Sequence, residues 1–197
     1  MGSPCTVGSR ASTMRTKTPA TIEDLMRVPG KAELVDGEII TMPPAGDTPS
    51  RAGLRITQSL LAYEDRTGVG RTYPDNAAFV VNLPHRKSFS PDAAFYTGTV
   101  SKQINMRFAE GAPIFAAEIR SENDCGPAAE KRLAAKRADY FAAGTQVVWD
   151  VDLQGADVVR VYRASDPDKP TIYRRGELAE AEPALPGWSM PVDSLFR

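Results

Sequence analysis

Histidine and cysteine are nearly absent: the 197 residues hold one His and two Cys. With His85 alone and no Cys-x-x-Cys pair, a zinc site of nitrogen and sulfur ligands is nearly excluded. Any catalytic metal then has to be held by oxygen, which points to magnesium or manganese. Cys5 and Cys125 are far apart in the chain, so a structural disulfide is not expected. Long apolar runs are missing as well. No stretch reaches the roughly 18 consecutive apolar residues of a membrane span, and no secretory signal opens the chain, so the expectation is a cytoplasmic protein without membrane contact. An excess of one charge is also lacking. The net charge of −1 and a pI near 5.9 argue against a protein that coats nucleic acid through a strongly basic surface, while leaving room for a local basic patch. There is no internal repeat.

What is present suits one domain with a hydrophobic core, since 42% of the residues are hydrophobic. Residues 1–17 (MGSPCTVGSRASTMRTK) are polar and aperiodic and read as a disordered leader, with Met14 a candidate natural start. The domain is expected over 18–165, and 166–197 as an irregular, Pro-broken tail that packs through Leu185, Trp188 and Phe196.

"TPATIEDLMRVPG" has a Thr before an acidic first turn and suits a short helix. "AELVDGEIITM" reads as a tight hairpin, because Asp36-Gly37 supplies the positive φ angles that a two-residue turn needs. "PPAGDTPS" then breaks the pattern, and apolar residues at 54, 56, 60, 61 and 63 predict an amphipathic helix over 51–66, stopped at Gly68. Three strand-like runs follow, "NAAFVVNL", "DAAFYTG" and "PIFAAEIRS". Residues 128–143 (AAEKRLAAKRADYFAA) predict a helix ended by Gly144, and "QVVWDVD" and "DVVRVYR" a strand pair across Gln154-Gly155 that closes the sheet. The order implies an α/β (α+β) fold with a mixed sheet flanked by helices.

Two acids stand out inside strand-like runs: Asp92 in "SPDAAFY" and Glu118 in "IFAAEIRS". Carboxylates brought together repel one another, and a divalent cation between them offsets that cost. A magnesium site commonly takes one or two carboxylates and completes its shell with water and phosphate. The plain alternative is that each acid caps a strand or pairs with a base such as Arg120 or Arg137. On the helix over 128–143, Leu133, Ala134, Tyr140 and Phe141 form an apolar arc with Lys136 at its edge, from which it can reach over the sheet towards Glu118. Arg137 falls inside the arc and is expected to be paired or packed along its stem.

"AELVDGEIITMPP", "SPDAAFY", "APIFAAEIRS", "AAKRADYFAAGT" and "VVWDVD", in that order, resemble the restriction-endonuclease-like (Uma-type) family of the PD-(D/E)XK nuclease superfamily, over about Thr18 to Arg163. The resemblance implies a restriction-endonuclease-like core and a Mg-dependent (or Mn-dependent) DNA endonuclease. Asp92 takes the place of the metal-binding aspartate, Glu118 that of the second acid, and Glu33 that of an acid from the N-terminal region. Lys136 matches a helix lysine that stands in for the superfamily's usual one. The usual lysine position is held by Arg120, which can clamp phosphate but cannot act as a base. On this reading Asp92, Glu118 and the main-chain carbonyl of Ile119 hold the metal, and Glu33 assists or helps to hold a second ion. Arg51, Arg55, Lys131 and Arg132 are candidate contacts to the DNA backbone, and a homodimer would join two basic clefts. Two other readings stay open: a catalytically inactive nucleic-acid- or protein-binding module, and an oligomeric scaffold anchored by Trp149, Tyr162 and Trp188. For those aromatics a place in the core is the stronger expectation.

Overall fold

The computed structural model describes residues 18–99, 104–122 and 124–197. The expected leader, with Cys5 and Met14, lies outside them. Thr21 caps helix α1 (Ile22–Leu25) through a reciprocal capping box with Asp24. Strands β1 (Ala32–Val35) and β2 (Glu38–Thr41) form the expected hairpin, and its turn residues Asp36 and Gly37 have φ of 52° and 73°. Helix α2 (Asp47–Thr67) begins earlier than periodicity suggests. Pro49 falls in its first turn, where an N–H has no intrahelical partner to lose. Gly68 closes the helix in the left-handed region.

Then come β3 (Arg71–Pro74), β4 (Phe79–Val80), β5 (Ser88–Phe89), β6 (Ala93–Tyr96), β7 (Ala109–Glu110) and β8 (Phe115–Ile119). Helix α3 (Gly126–Ala142) leads to β9 (Val147–Val151) and β10 (Val159–Arg163). They are followed by β11 (Asp166–Tyr173), β12 (Leu178–Glu180), β13 (Ser189–Pro191) and a 3-10 turn (Val192–Phe196).

Six strands make the central sheet in the order β11-β10-β9-β8-β6-β3. It is mixed. The β8–β9 pair is parallel, as the α3 crossover between them requires, and the other neighbours are antiparallel. Three readings need correction. The "NAAFVVNL" run contributes only the short β4, which joins a separate sheet with β5 and β7 because a Pro-containing loop follows at once. Strand β3 was hidden because Arg-Thr-Tyr-Pro lacks an apolar alternation, yet it forms the edge beside β6. The segment after Ala164 is less irregular than expected: β11 extends the sheet beyond β10, and β12 pairs with β13.

Side-chain alternation divides the sheet into two faces. Ala93, Phe95, Phe115, Ala117, Val147 and Trp149 turn to α2 (Ala52, Ile56, Leu60, Tyr63) and to the C-terminal segment (Leu185, Trp188, Leu195). Trp149, Tyr162 and Trp188 are all buried in the monomer, so none is free to anchor an interface. The opposite face carries Ala116 and Val148, packed with Phe89 and with Tyr140 of α3. No helix among the described residues is long and apolar enough to cross a membrane. Cys125 is exposed and unpaired.

Candidate active site

The α3 face of the sheet ends in acids. Asp92 lies one residue beyond the Ala93–Ala117 pair on β6, and Glu118 one residue beyond it on β8, so the antiparallel register sets them side by side. Pro91 precedes Asp92 at the strand entrance, where a missing N–H costs no ladder bond. The Asp92 amide donates to Ala117 O at 3.0 Å. Asp92 Oδ2 accepts from the Ile119 amide at 2.6 Å, and its Oδ1 is held by the ammonium of Lys31.

Glu118 is reached from α3. Lys136 Nζ lies 2.9 Å from Glu118 Oε2 and 2.9 Å from Glu33 Oε1. Tyr140, one turn on, donates its hydroxyl to Glu118 Oε1 at 2.6 Å. Its ring is fixed by stacking on Phe89, with centroids 3.9 Å apart. The hairpin delivers Glu33, whose Oε1 also accepts from the Ser90 amide at 2.9 Å and whose Oε2 accepts from Arg86 at 2.6 Å. Arg86 continues to Asp139 of α3 at 2.7 Å, and His85 Nε2 lies 2.7 Å from the other Asp139 oxygen. Hairpin, sheet and α3 are thus joined by one charged network.

Electrostatics follow from this crowding of acids. Burial raises the proton affinity of Glu118; Lys136 opposes this, while Asp92 and Glu33 add to it. Burial alone would lower the Lys136 pKa, but Glu118 and Glu33 outweigh it and hold the ammonium above its ordinary value. Lys136 thus stands as a cation between two carboxylates. Burial also acts against the Glu33 carboxylate, and Lys136 and Arg86 overcome it and keep Glu33 below the usual range. Burial and the neighbouring Glu118 keep the Tyr140 phenol protonated, as its donated bond requires.

The structure thus brings together Asp92, Glu118, Lys136 and Glu33, with Ile119 facing Asp92 through its main chain. It does not bring Arg120 to them. Arg120 Nε and Nη2 grip Asp150 at 2.7 and 2.8 Å, and Nη2 reaches Glu130 at 3.1 Å while Nη1 takes the other Glu130 oxygen. Arg137 adds a third bond to Asp150 at 3.0 Å and lies over the Tyr162 ring. Arg120 thus stands apart from the expected place beside these acids, its donors engaged by a neighbouring ion-pair cluster. Arg51 and Arg55 sit on α2, where each donates to the Arg197 carbonyl. Lys131 and Arg132 lie exposed on α3, and Arg132 is 3.4 Å from Asp124. Sequence reasoning missed Lys31, Arg86, Asp139 and Tyr140 as parts of the site. The Lys136–Tyr140 spacing of one turn was the only signal available for Tyr140.

A divalent cation that prefers oxygen fits this donor set. Asp92 and Glu118 supply hard oxygens from adjacent strands, and the repulsion between them is relieved by positive charge. No group of three or more His, Cys, Asp or Glu side chains that could hold a metal ion occurs among the described residues. Two carboxylates suffice for an ion that keeps several waters.

Comparison with known proteins shows the family. The family "Uma2: Putative restriction endonuclease" matches residues 22–193, and the chain belongs to this family. The match runs past Arg163 and takes in the C-terminal strands. A crystal structure of a putative nuclease belonging to DUF820 from Anabaena variabilis is similar, with a TM-score of 0.69 and 18% identity, covering 90% of this chain and 98% of that one. At that identity the likeness shows a shared fold. No curated protein matches the chain.

Proposed function

We propose that the protein is a divalent-metal-dependent endonuclease that hydrolyses phosphodiester bonds in DNA. The observation that carries this reading is the convergence of Asp92 and Glu118, from neighbouring strands, with a lysine held cationic by Glu118 and Glu33. Asp92 and Glu118 would hold magnesium or manganese, and Ile119 offers its carbonyl from the strand edge that faces Asp92. Bound there, the ion supplies Lewis-acid polarisation of the phosphate and a more acidic water.

The chain's own residues supply the rest. Tyr140 engages one oxygen of Glu118 and Lys136 the other, so that each oxygen keeps a further lone pair for the site. Lys136 would place a positive charge where the attacked phosphate gains negative charge. Glu33, engaged by Lys136, Ser90 and Arg86, orients Lys136, and this role suits its three donors better than that of ligand to a second ion. Exposed Lys131 and Arg132 would contact the DNA backbone, with affinity falling steeply as salt rises. Arg51 and Arg55, each with one donor on Arg197 O, would do so with their remaining N–H groups. A homodimer would enlarge this basic surface on a chain whose net charge is −1.

A non-catalytic binding module is the second reading, favoured by the commitment of Arg120 to Asp150. Magnesium and manganese titrations into wild type, Asp92→Ala and Glu118→Ala, each followed by incubation with supercoiled DNA, separate the two. Metal-binding heat and nicking in wild type, both lost in the variants, are expected. DNA binding without metal uptake or nicking would leave the binding module in their place.

A further inference from the structure

The hairpin carries a second lysine to the carboxylates, and the chemistry above leaves it without a part. Lys31 precedes β1, where its carbonyl accepts from the Met42 amide at 2.9 Å and anchors it at the open end of the hairpin ladder. Its side chain is 14% exposed, and its ammonium touches Asp92 Oδ1 on one side and lies 2.7 Å from Asp75 Oδ1 on the other. Asp75 occupies the turn after β3, half exposed, with its Oδ1 also accepting from the Asn76 amide. Lys31 thus links an inner carboxylate to one at the rim.

This position conflicts with a metal on the same oxygen. An ammonium and a divalent ion on one partly buried carboxylate repel strongly at such range. The other Asp92 oxygen is already bonded to the Ile119 amide. Lys136 meets the same ion through Glu118, but Glu33 holds it from the other side and keeps it in place. A lysine suits exchange: its charge is compact, its stem is flexible, and it has no planar fork to lock onto a carboxylate.

Resting on the nuclease reading, we infer that Lys31 is an exchangeable counter-cation of Asp92. It holds the carboxylate when no divalent ion is bound, yields it to an arriving ion while keeping its bond to Asp75, and turns its freed donors to a phosphate of the bound strand. Its role is positioning, exerted through Asp92. Asp75 is then the retained seat that makes the exchange possible.

The test is calorimetric magnesium binding to the full-length wild type and to the Lys31→Met, Lys31→Arg and Asp75→Asn variants, with circular dichroism to check the fold. Lys31→Met is expected to tighten magnesium binding about tenfold, by removing a like charge at contact range. Lys31→Arg, which keeps the charge, gives no such gain. Asp75→Asn weakens binding about threefold, the scale of a half-exposed pair, because the ammonium is left with Asp92 alone. Nicking by Lys31→Met at saturating magnesium is slower in spite of tighter binding. Equal or weaker magnesium binding by folded Lys31→Met overturns the inference and leaves the nuclease reading standing. Should that variant not fold, unchanged affinity in Asp75→Asn overturns it. Binding by Lys31→Met but not by wild type supports the exchange, and binding by neither removes both this inference and the metal reading.

Discussion

Glu118 and Asp150 are register partners on the parallel strands β8 and β9, and consecutive residues of α3 serve them, Lys136 the first and Arg137 the second. The surroundings then diverge. Asp150 is closed by two arginines, one of them bidentate, and Glu130 covers the outer side of Arg120. Glu118 is met by one lysine and one tyrosine, and shares its neighbourhood with Glu33 and Asp92. Arginine's planar fork matches a carboxylate and holds it, whereas an ammonium is a point charge that can be handed over. Two acids at the same level of one sheet thus differ in their surroundings: one is fastened to α3 by arginines, and the other shares a single lysine with Glu33 beside Asp92.

Removing the fastening is expected to have the largest effect. Asp150→Ala leaves Arg120 and Arg137 buried side by side without their carboxylate, and should cost about 3–5 kcal/mol in urea unfolding. Glu118→Gln reverses the pattern: a modest change in unfolding, but a loss of nicking of about 100-fold or more, the scale of removing one charge-stabilising contact. Equal stability losses in the two variants would break the comparison. Lys136→Arg sharpens it further, since the charge is kept and its shape changed; nicking should fall about tenfold or more while the folded content by circular dichroism stays native. The smallest effect belongs to Glu130→Gln. Its side chain is 51% exposed, so losing the outer half of the Arg120 cluster should change stability by about 1 kcal/mol or less and leave nicking unaltered.

Local chemistry made part of this legible in advance. Asp36-Gly37 can hardly be anything but a tight turn, the Ala-rich run ended by Gly144 is a helix, and an acid at the edge of an apolar strand is conspicuous. Lys136 could be placed because helical spacing fixes which way it leans. Residues whose partners are remote in sequence were silent. Arg86 binds Glu33 and Asp139, each 53 residues away, and nothing around it announces either partner. Lys31 looks like an ordinary solvated lysine beside a hairpin until the start of β6 is folded under it. For Arg120 the family resemblance suggested a place beside the carboxylate pair, whereas the register of β8 with β9 brings it to Asp150.

The packing of Trp188 and Leu195 against α2 and the sheet also bears on how the chain matures. Elements of the α3 face, from the hairpin to α3 itself, are all synthesised before the opposite face receives Trp188 and Leu195. A nascent chain short of Leu195 therefore leaves part of the surface around Ile56, Leu60, Phe115 and Trp149 uncovered. Folding during synthesis has to wait for that segment, and a ribosome stalled upstream of it would present a sticky, chaperone-binding intermediate.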